Sequence, residues 1–211
     1  MSKLIPLFPL NIVVFPGEKL NLHIFEPRYK QLIKECFENE SNFGIPTYLN
    51  DGVGMFGTEI KIKSIDKNYP GGEMDIRTEG VGIFKIEEFI KEVEDKPYAA
   101  GKVEEIELKD DEDILVKEKI RERIKELYEA LGISNLFIAL PDNFKSFDIA
   151  HHLGLSVEQE YQLLQCQNES DRQELILQHL DKVVPIVVQT EKLKERVKQN
   201  GHFKHLNPPN F

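Results

Sequence analysis

A chain of 211 residues suits one large domain or two small ones, with enough length to bury a substantial core. Its 40% hydrophobic content, with Gly and Pro in ordinary numbers, excludes a disordered polymer. A net charge of −10 works against nonspecific binding to phosphate backbones, and no stretch approaches the roughly 20 apolar residues of a membrane-spanning helix.

The opening Leu4–Leu10 reads as a short strand whose prolines favour a strand end or sheet edge. Pro16-Gly17 supplies turn chemistry, and Leu20, Leu22 and Ile24 alternate with polar residues as a second strand. A helix is expected to begin after Glu26, with Pro27 in its first turn and Tyr29, Leu32, Ile33 and Phe37 facing inward. Phe43–Leu49 reads as a strand closed by Asn50-Asp51-Gly52. Thr58–Ile65 alternates with one slip that suggests a bulge. Tyr69-Pro70-Gly71-Gly72 turns the chain into Met74–Thr78. Gly80 and Gly82 predict a close backbone approach or a sharp bend before Ile83, Phe84 and Ile86. Tyr98–Leu108 ends a region of six or more short strands around one helix, a pattern that predicts a small, strongly curved sheet.

At Asp110 the period changes. Ile114, Ile120, Ile124, Leu127 and Leu131 recur at helical spacing, and Gly132 stops the run. Ser146 opens a short helix ended by Gly154. Ser156 with Gln159, and Ser170 with Gln173, read as capping boxes for two further helices. Pro185 is expected to kink or break the last of these, since an interior proline costs about 3 kcal/mol. The tail after Gly201, ending Asn207-Pro208-Pro209-Asn210-Phe211, is expected to be poorly ordered. The fold class is therefore α+β: a β domain over 1–109, a helical bundle over 110–200 and a tail over 201–211.

Chemistry-bearing motifs are few. No GxxxxGK[ST] phosphate loop and no GxSxG elbow occurs, so neither an ATP site nor a serine nucleophile is expected. His151 and His152, adjacent on a helix, would point about 100° apart, and His202 and His205 lie in the tail without Cys or carboxylate companions. No metal or cofactor is expected. Cys36 and Cys166 fit no redox or metal spacing and read as reduced thiols, with Cys166 facing a helix packing seam. Lys3 and the apolar stretch after it imitate a secretory signal, but Pro6, Pro9 and Pro16 and the absence of a small-x-small cleavage site oppose one. A cytoplasmic location is expected.

The run Phe8-Pro9-Leu10-Asn11-Ile12-Val13-Val14-Phe15-Pro16-Gly17, followed by Ile24-Phe25-Glu26-Pro27-Arg28-Tyr29, resembles the signature of the Lon N-terminal substrate-binding domain family. Gly57-Thr58-Glu59-Ile60, Thr78–Ile86 and Tyr98–Val103 resemble later strands of that family. Ile149–Leu153 and Gln162–Gln165 followed by Arg172 resemble its helical segments. The resemblance implies a PUA-like curved β pseudobarrel followed by a C-terminal helical bundle. One departure is Ile83, where many relatives carry an arginine three residues after the glycine matching Gly80, so a role for that arginine is not carried over. Glu26, Arg28 and Tyr29 are read as structural: charge at a helix N-terminus, a bridge to it, and a packed ring.

The resemblance further implies a non-catalytic module, since the chain stops at Phe211, before any ATPase or peptidase domain. Its expected partner is unfolded or degron-bearing polypeptide, with delivery to a separate protease or chaperone. Such capture needs exposed apolar surface or an open strand edge. The candidate residues are Ile12, Val14 and Phe15, and Met55 and Phe56 in the glycine-rich Val53–Gly57, with core packing as their competing explanation. An RNA-binding role for the PUA-like sheet is the alternative, opposed by the charge of −10.

Overall fold

Two strands of 17 residues carry the first half of the chain. The computed structural model describes residues 2–50, 52–135 and 140–202; of the tail expected to be poorly ordered after Gly201, His202 ends the last helix and the remainder, His205 included, lies outside the described residues. The elements are β1 (Lys3–Pro6), β2 (Lys19–Ile24), α1 (Pro27–Glu38), β3 (Phe43–Leu49), β4 (Gly52–Asn68), β5 (Met74–Ile90) and β6 (Ala100–Ile106). There follow α2 (Ile114–Ala130), α3 (Ser146–Ile149), a 3₁₀ turn at Ala150–His152, α4 (Val157–Gln165) and α5 (Glu169–His202). The expected α+β class holds.

Strand β5 organises the sheet. Its first half pairs with β2, from Ile24↔Met74 to Lys19↔Glu79, and its second half with β6, from Ile83↔Ile106 to Ile90↔Ala100. The opposite edge of β5 pairs with β4 almost throughout, through three register shifts. Gly80 sits at the handover. Its N–H donates to the Glu18 carbonyl at 2.9 Å and its carbonyl accepts the Gly17 N–H at 2.8 Å. A Cβ there would lie 2.4 Å from the Phe15 carbonyl oxygen, so the expected close approach is real at Gly80. Gly82 differs: nothing stands within 4 Å of its Cβ direction.

The chain just after β1 closes the sheet on β3 through bridges at Leu7↔Gly44 and Leu10↔Thr47. Phe84 fills the space between, with ring atoms 2.7 Å from where a Cβ of Gly44 or Gly57 would stand. Burying a side chain of this kind stabilises by about 1.5–3 kcal/mol. Pro46 offers no N–H to the ladder, and the β3–β4 register slips between Pro46 and Tyr48.

Helix α1 buries Tyr29, Leu32, Ile33 and Cys36 against the sheet core. Phe37, expected inward, is exposed. The spacing i, i+3, i+4, i+7 from Tyr29 reaches Cys36, and Phe37 falls about 100° past it. The thiol of Cys36 is pushed up by that burial.

The chain divides into two units. The first comprises the chain up to Lys109 together with Ala150–Asn168; the second comprises Asp110–Ile149 and the chain from Glu169 on. The segment carrying α4, expected in the helical bundle, therefore belongs with the sheet. The reason is local: the Phe56 N–H donates to the Tyr161 hydroxyl at 2.9 Å, and the two rings meet edge to face. The Ser156–Gln159 capping box of α4 forms in both directions.

In the second unit, Asp113 caps α2 by accepting the N–H groups of Leu115 and Val116. Ile120, Ile124 and Leu127 are buried, whereas Ile114 and Leu131, at the helix ends, are exposed. Gly132 (φ 72°) ends the run. The expected capping box at Ser170 is absent: α5 starts at Glu169, Ser170 donates to Asp111, and Gln173 accepts the Asp113 N–H. Pro185 does not break α5. It lies on the exposed side, as does Asp181, whose carbonyl is the one Pro185 leaves without an N–H donor.

Candidate functional site

The five residues expected to bind polypeptide do not form one surface. Val14 and Phe15 are each 1% exposed, and Val14 belongs to the core packed under α1. The Thr58 hydroxyl donates to the Val14 carbonyl, and the Phe15 ring lies 4.8 Å from that of His151. Neither can touch a client, so both are corrected to core residues. Phe56 is half-buried against Tyr161; Ile12 and Met55 are exposed. The glycines beside them serve internal packing, since a Cβ on Gly54 would meet the Tyr161 hydroxyl at 2.7 Å. Val53–Gly57 is part of β4 and not an open glycine loop.

The first unit instead carries a groove of about 530 Å³ that none of those five residues lines. Its floor is Leu7, Tyr29 and Tyr98, all buried, and its walls include Tyr48, Val53 and Phe89, with Pro9 and Pro97 at the sides. Arg28, Lys91 and Glu92 supply charge. Tyr48 and Phe89 are 49% and 41% exposed, large apolar rings left open to solvent.

Register shifts aim both wall rings. Tyr48 follows the slip in β3 after Pro46, and Phe89 follows the slip between Ile86 and Glu88 in β5. A bulge turns the following side chain to the other face, which is why alternation from Phe84 and Ile86 does not predict Phe89. The sequence reading missed Tyr48, Phe89 and Tyr98. The signal available for the first two was a large apolar ring out of phase with its strand.

The floor is held rigidly. The Tyr98 hydroxyl donates to Glu35, which also accepts Lys96 Nζ and Gln31 Nε2 at 2.8 Å each. Lys96, then Tyr98 and Gln31, bring the Glu35 carboxyl down to about 2, while burial and Glu35 push the Tyr98 phenol up. Arg28 stacks over Tyr29 at 4.5 Å and bonds Glu26 at 2.8 Å. The structural role expected for that motif is therefore present, and it also places Arg28 and Tyr29 on the groove. No hydrogen bond within the described residues engages the Tyr48 hydroxyl.

A second cluster fixes the turn before β2 to the helical segment of the same unit. His151 Nδ1 is 2.7 Å from Glu160 and Nε2 is 3.1 Å from Glu18, whose carboxylate also accepts the Phe15 N–H at 2.9 Å. Glu18 and Glu160 raise the imidazole to about 9, so it is a cation at neutral pH. Among the described residues, no group of three or more His, Cys, Asp and Glu is arranged to hold a metal, and no helix is long and apolar enough to cross a membrane.

The sequence matches the family model for the ATP-dependent protease La (Lon) substrate-binding domain across residues 4–182. This chain belongs to the Lon substrate-binding domain family. The crystal structure of a Lon N-terminal domain protein from Xanthomonas campestris is 28% identical. The match covers 83% of this chain and 97% of that one, with a TM-score of 0.61. The N-terminal domain of the Mycobacterium avium complex Lon protease shares the fold at 19% identity, over 85% and 98% of the two chains and with the same TM-score. Within the Lon substrate-binding domain fold, Ile83 is a core residue, 1% exposed.

Proposed function

We propose that this chain is a non-catalytic recognition module. It binds extended, apolar polypeptide segments in the Tyr48–Phe89 groove and hands them to a separate protease or chaperone in the cytoplasm. The observation that carries this reading is the groove itself, about 530 Å³ with two open aromatic walls over a rigid tyrosine floor. Aromatic rings offer large contact area at low entropic cost and tolerate varied apolar side chains, which suits capture without a fixed motif. Arg28, Lys91 and Glu92 supply polar contacts at the margin for a peptide backbone or a flanking charge. Membership of a substrate-binding domain family supports the same reading.

The test is photo-crosslinking of the purified protein to an array of unfolded-protein peptides, with adducts located by mass spectrometry. Adducts are expected at Tyr48, Phe89 and their neighbours. Tyr48→Ala with Phe89→Ala should weaken peptide binding by about tenfold or more, since buried aromatic anchors dominate such interfaces. Adducts elsewhere, or unchanged binding in that variant with the fold intact by circular dichroism, would overturn the groove as the site.

A further inference from the structure

The apolar pattern of α5 does not stop where its packing does. Helix α2 has 17 residues and α5 has 34, or about 26 and 51 Å at 1.5 Å per residue. Ile176, Leu180 and Val184, in the first half of α5, are buried. Alongside and beyond them Val183, Ile186, Thr190, Leu193 and Val197 recur at alternating spacings of three and four, the spacing of a two-helix seam. Ile186, Leu193 and Val197 are 64%, 59% and 69% exposed.

Charge identifies the occupant. In a chain of net −10, residues 182–198 hold five bases (Lys182, Lys192, Lys194, Arg196, Lys198) against two acids (Glu191, Glu195). In that heptad frame the two charged positions flanking the exposed seam are Lys194 and Arg196, while both acids fall on the far side. Lys194 reaches Glu191 at 2.6 Å, and Arg196 makes no ion pair among the described residues. A second copy of this helix would bring the same bases to the seam and no acid to meet them. A lipid surface would need a broader apolar face, whereas this one is interrupted by Thr190, flanked by Lys194 and Arg196 in its distal part and free of aromatic rings. We propose that the distal half of α5 docks an acidic amphipathic helix of another protein. That helix lies along Ile186, Leu193 and Val197, and its flanking carboxylates meet Lys194 and Arg196.

The test uses the full chain and a labelled synthetic helix of about three heptads with Leu at the seam positions and Glu at the flanks. Its self-repelling flanks leave that probe free to pair. A second probe carries Lys in place of every Glu. Saturable binding of the Glu probe, weakened by salt and at least about tenfold tighter than the Lys probe, is expected. Leu193→Asp should abolish it, and Lys194→Glu with Arg196→Glu should invert the preference. All three positions are exposed, and circular dichroism checks each fold. Tyr48→Ala with Phe89→Ala should leave this binding unchanged, which separates it from the groove. Equal affinity for both probes, or none, overturns the proposal. So does sedimentation showing self-association that Leu193→Asp abolishes, or tighter binding to phosphatidylserine vesicles than to the Glu probe.

Discussion

His151 Nε2 lies 3.1 Å from the carboxylate of Glu18, a residue 133 positions earlier in the chain. With Glu160 on the other ring nitrogen, the imidazole is a charged clasp between the turn before β2 and the segment carrying α4. Its folded value of about 9 stands above the ordinary 6.5, so its contribution is full below about pH 6.5 and is lost as pH rises through about 9. His151→Gln is expected to lower stability by about 1 kcal/mol at pH 6, a figure reduced for the partial exposure of the ring, and by almost nothing at pH 10. Urea midpoints of both proteins across this range check it; a gap that does not narrow would refute the clasp.

Gly80 and Gly82 look alike in sequence and should respond oppositely to alanine. At Gly80 the added methyl meets the Phe15 carbonyl oxygen at 2.4 Å, a backbone atom that cannot swing aside. Gly80→Ala is expected to cost about 3 kcal/mol or to prevent folding. Gly82→Ala meets nothing and removes unfolded-state freedom, so a change within about 1 kcal/mol, towards stabilisation, is expected. Thermal melts of the two variants decide the matter.

Glu169 and Arg172 form a buried pair, 2% and 4% exposed, with Arg172 Nε at 3.0 Å and its guanidinium over the Phe147 ring. Glu169 also accepts both the N–H and the hydroxyl of Ser146. Arg172→Met leaves that carboxylate buried without its cation and should cost about 3–5 kcal/mol. Adding Glu169→Gln should recover part of the loss. Denaturant unfolding of the single and double variants measures the coupling.

The elements whose chemistry is local were legible in the sequence. Pro27 at the start of α1, the Ser156–Gln159 box and Gly132 after α2 each act within a turn or two of chain, and each stands where the pattern placed it. The failures come from distant partners. Ser170 and Gln173 have capping chemistry, but Asp111 and Asp113 take it over from about 60 residues away. Val14 and Phe15 looked available because composition does not distinguish a binding strip from a strip covered by a helix. Tyr48 and Phe89 were invisible because a register slip, written only in the pairing of strands, decides which way they face.

The shared pairing of β5 sets an order on synthesis. β4 and β5 are joined by the short Tyr69–Gly72 turn, so their ladder can close as soon as both have emerged. β2 must wait for its partners, from Met74 for Ile24 to Glu79 for Lys19, and Lys3 finds its partner only at Val103. β1 and β2, made before β4 and β5, are thus among the last strands of the sheet to gain a place. Phe15 and the Phe56 amide wait longer still, for His151 and Tyr161, which arrive only after residues 110–149 of the other unit have been made. A nascent chain ending at Lys109 is an unfinished unit, completed only when Ala150–Asn168 follows.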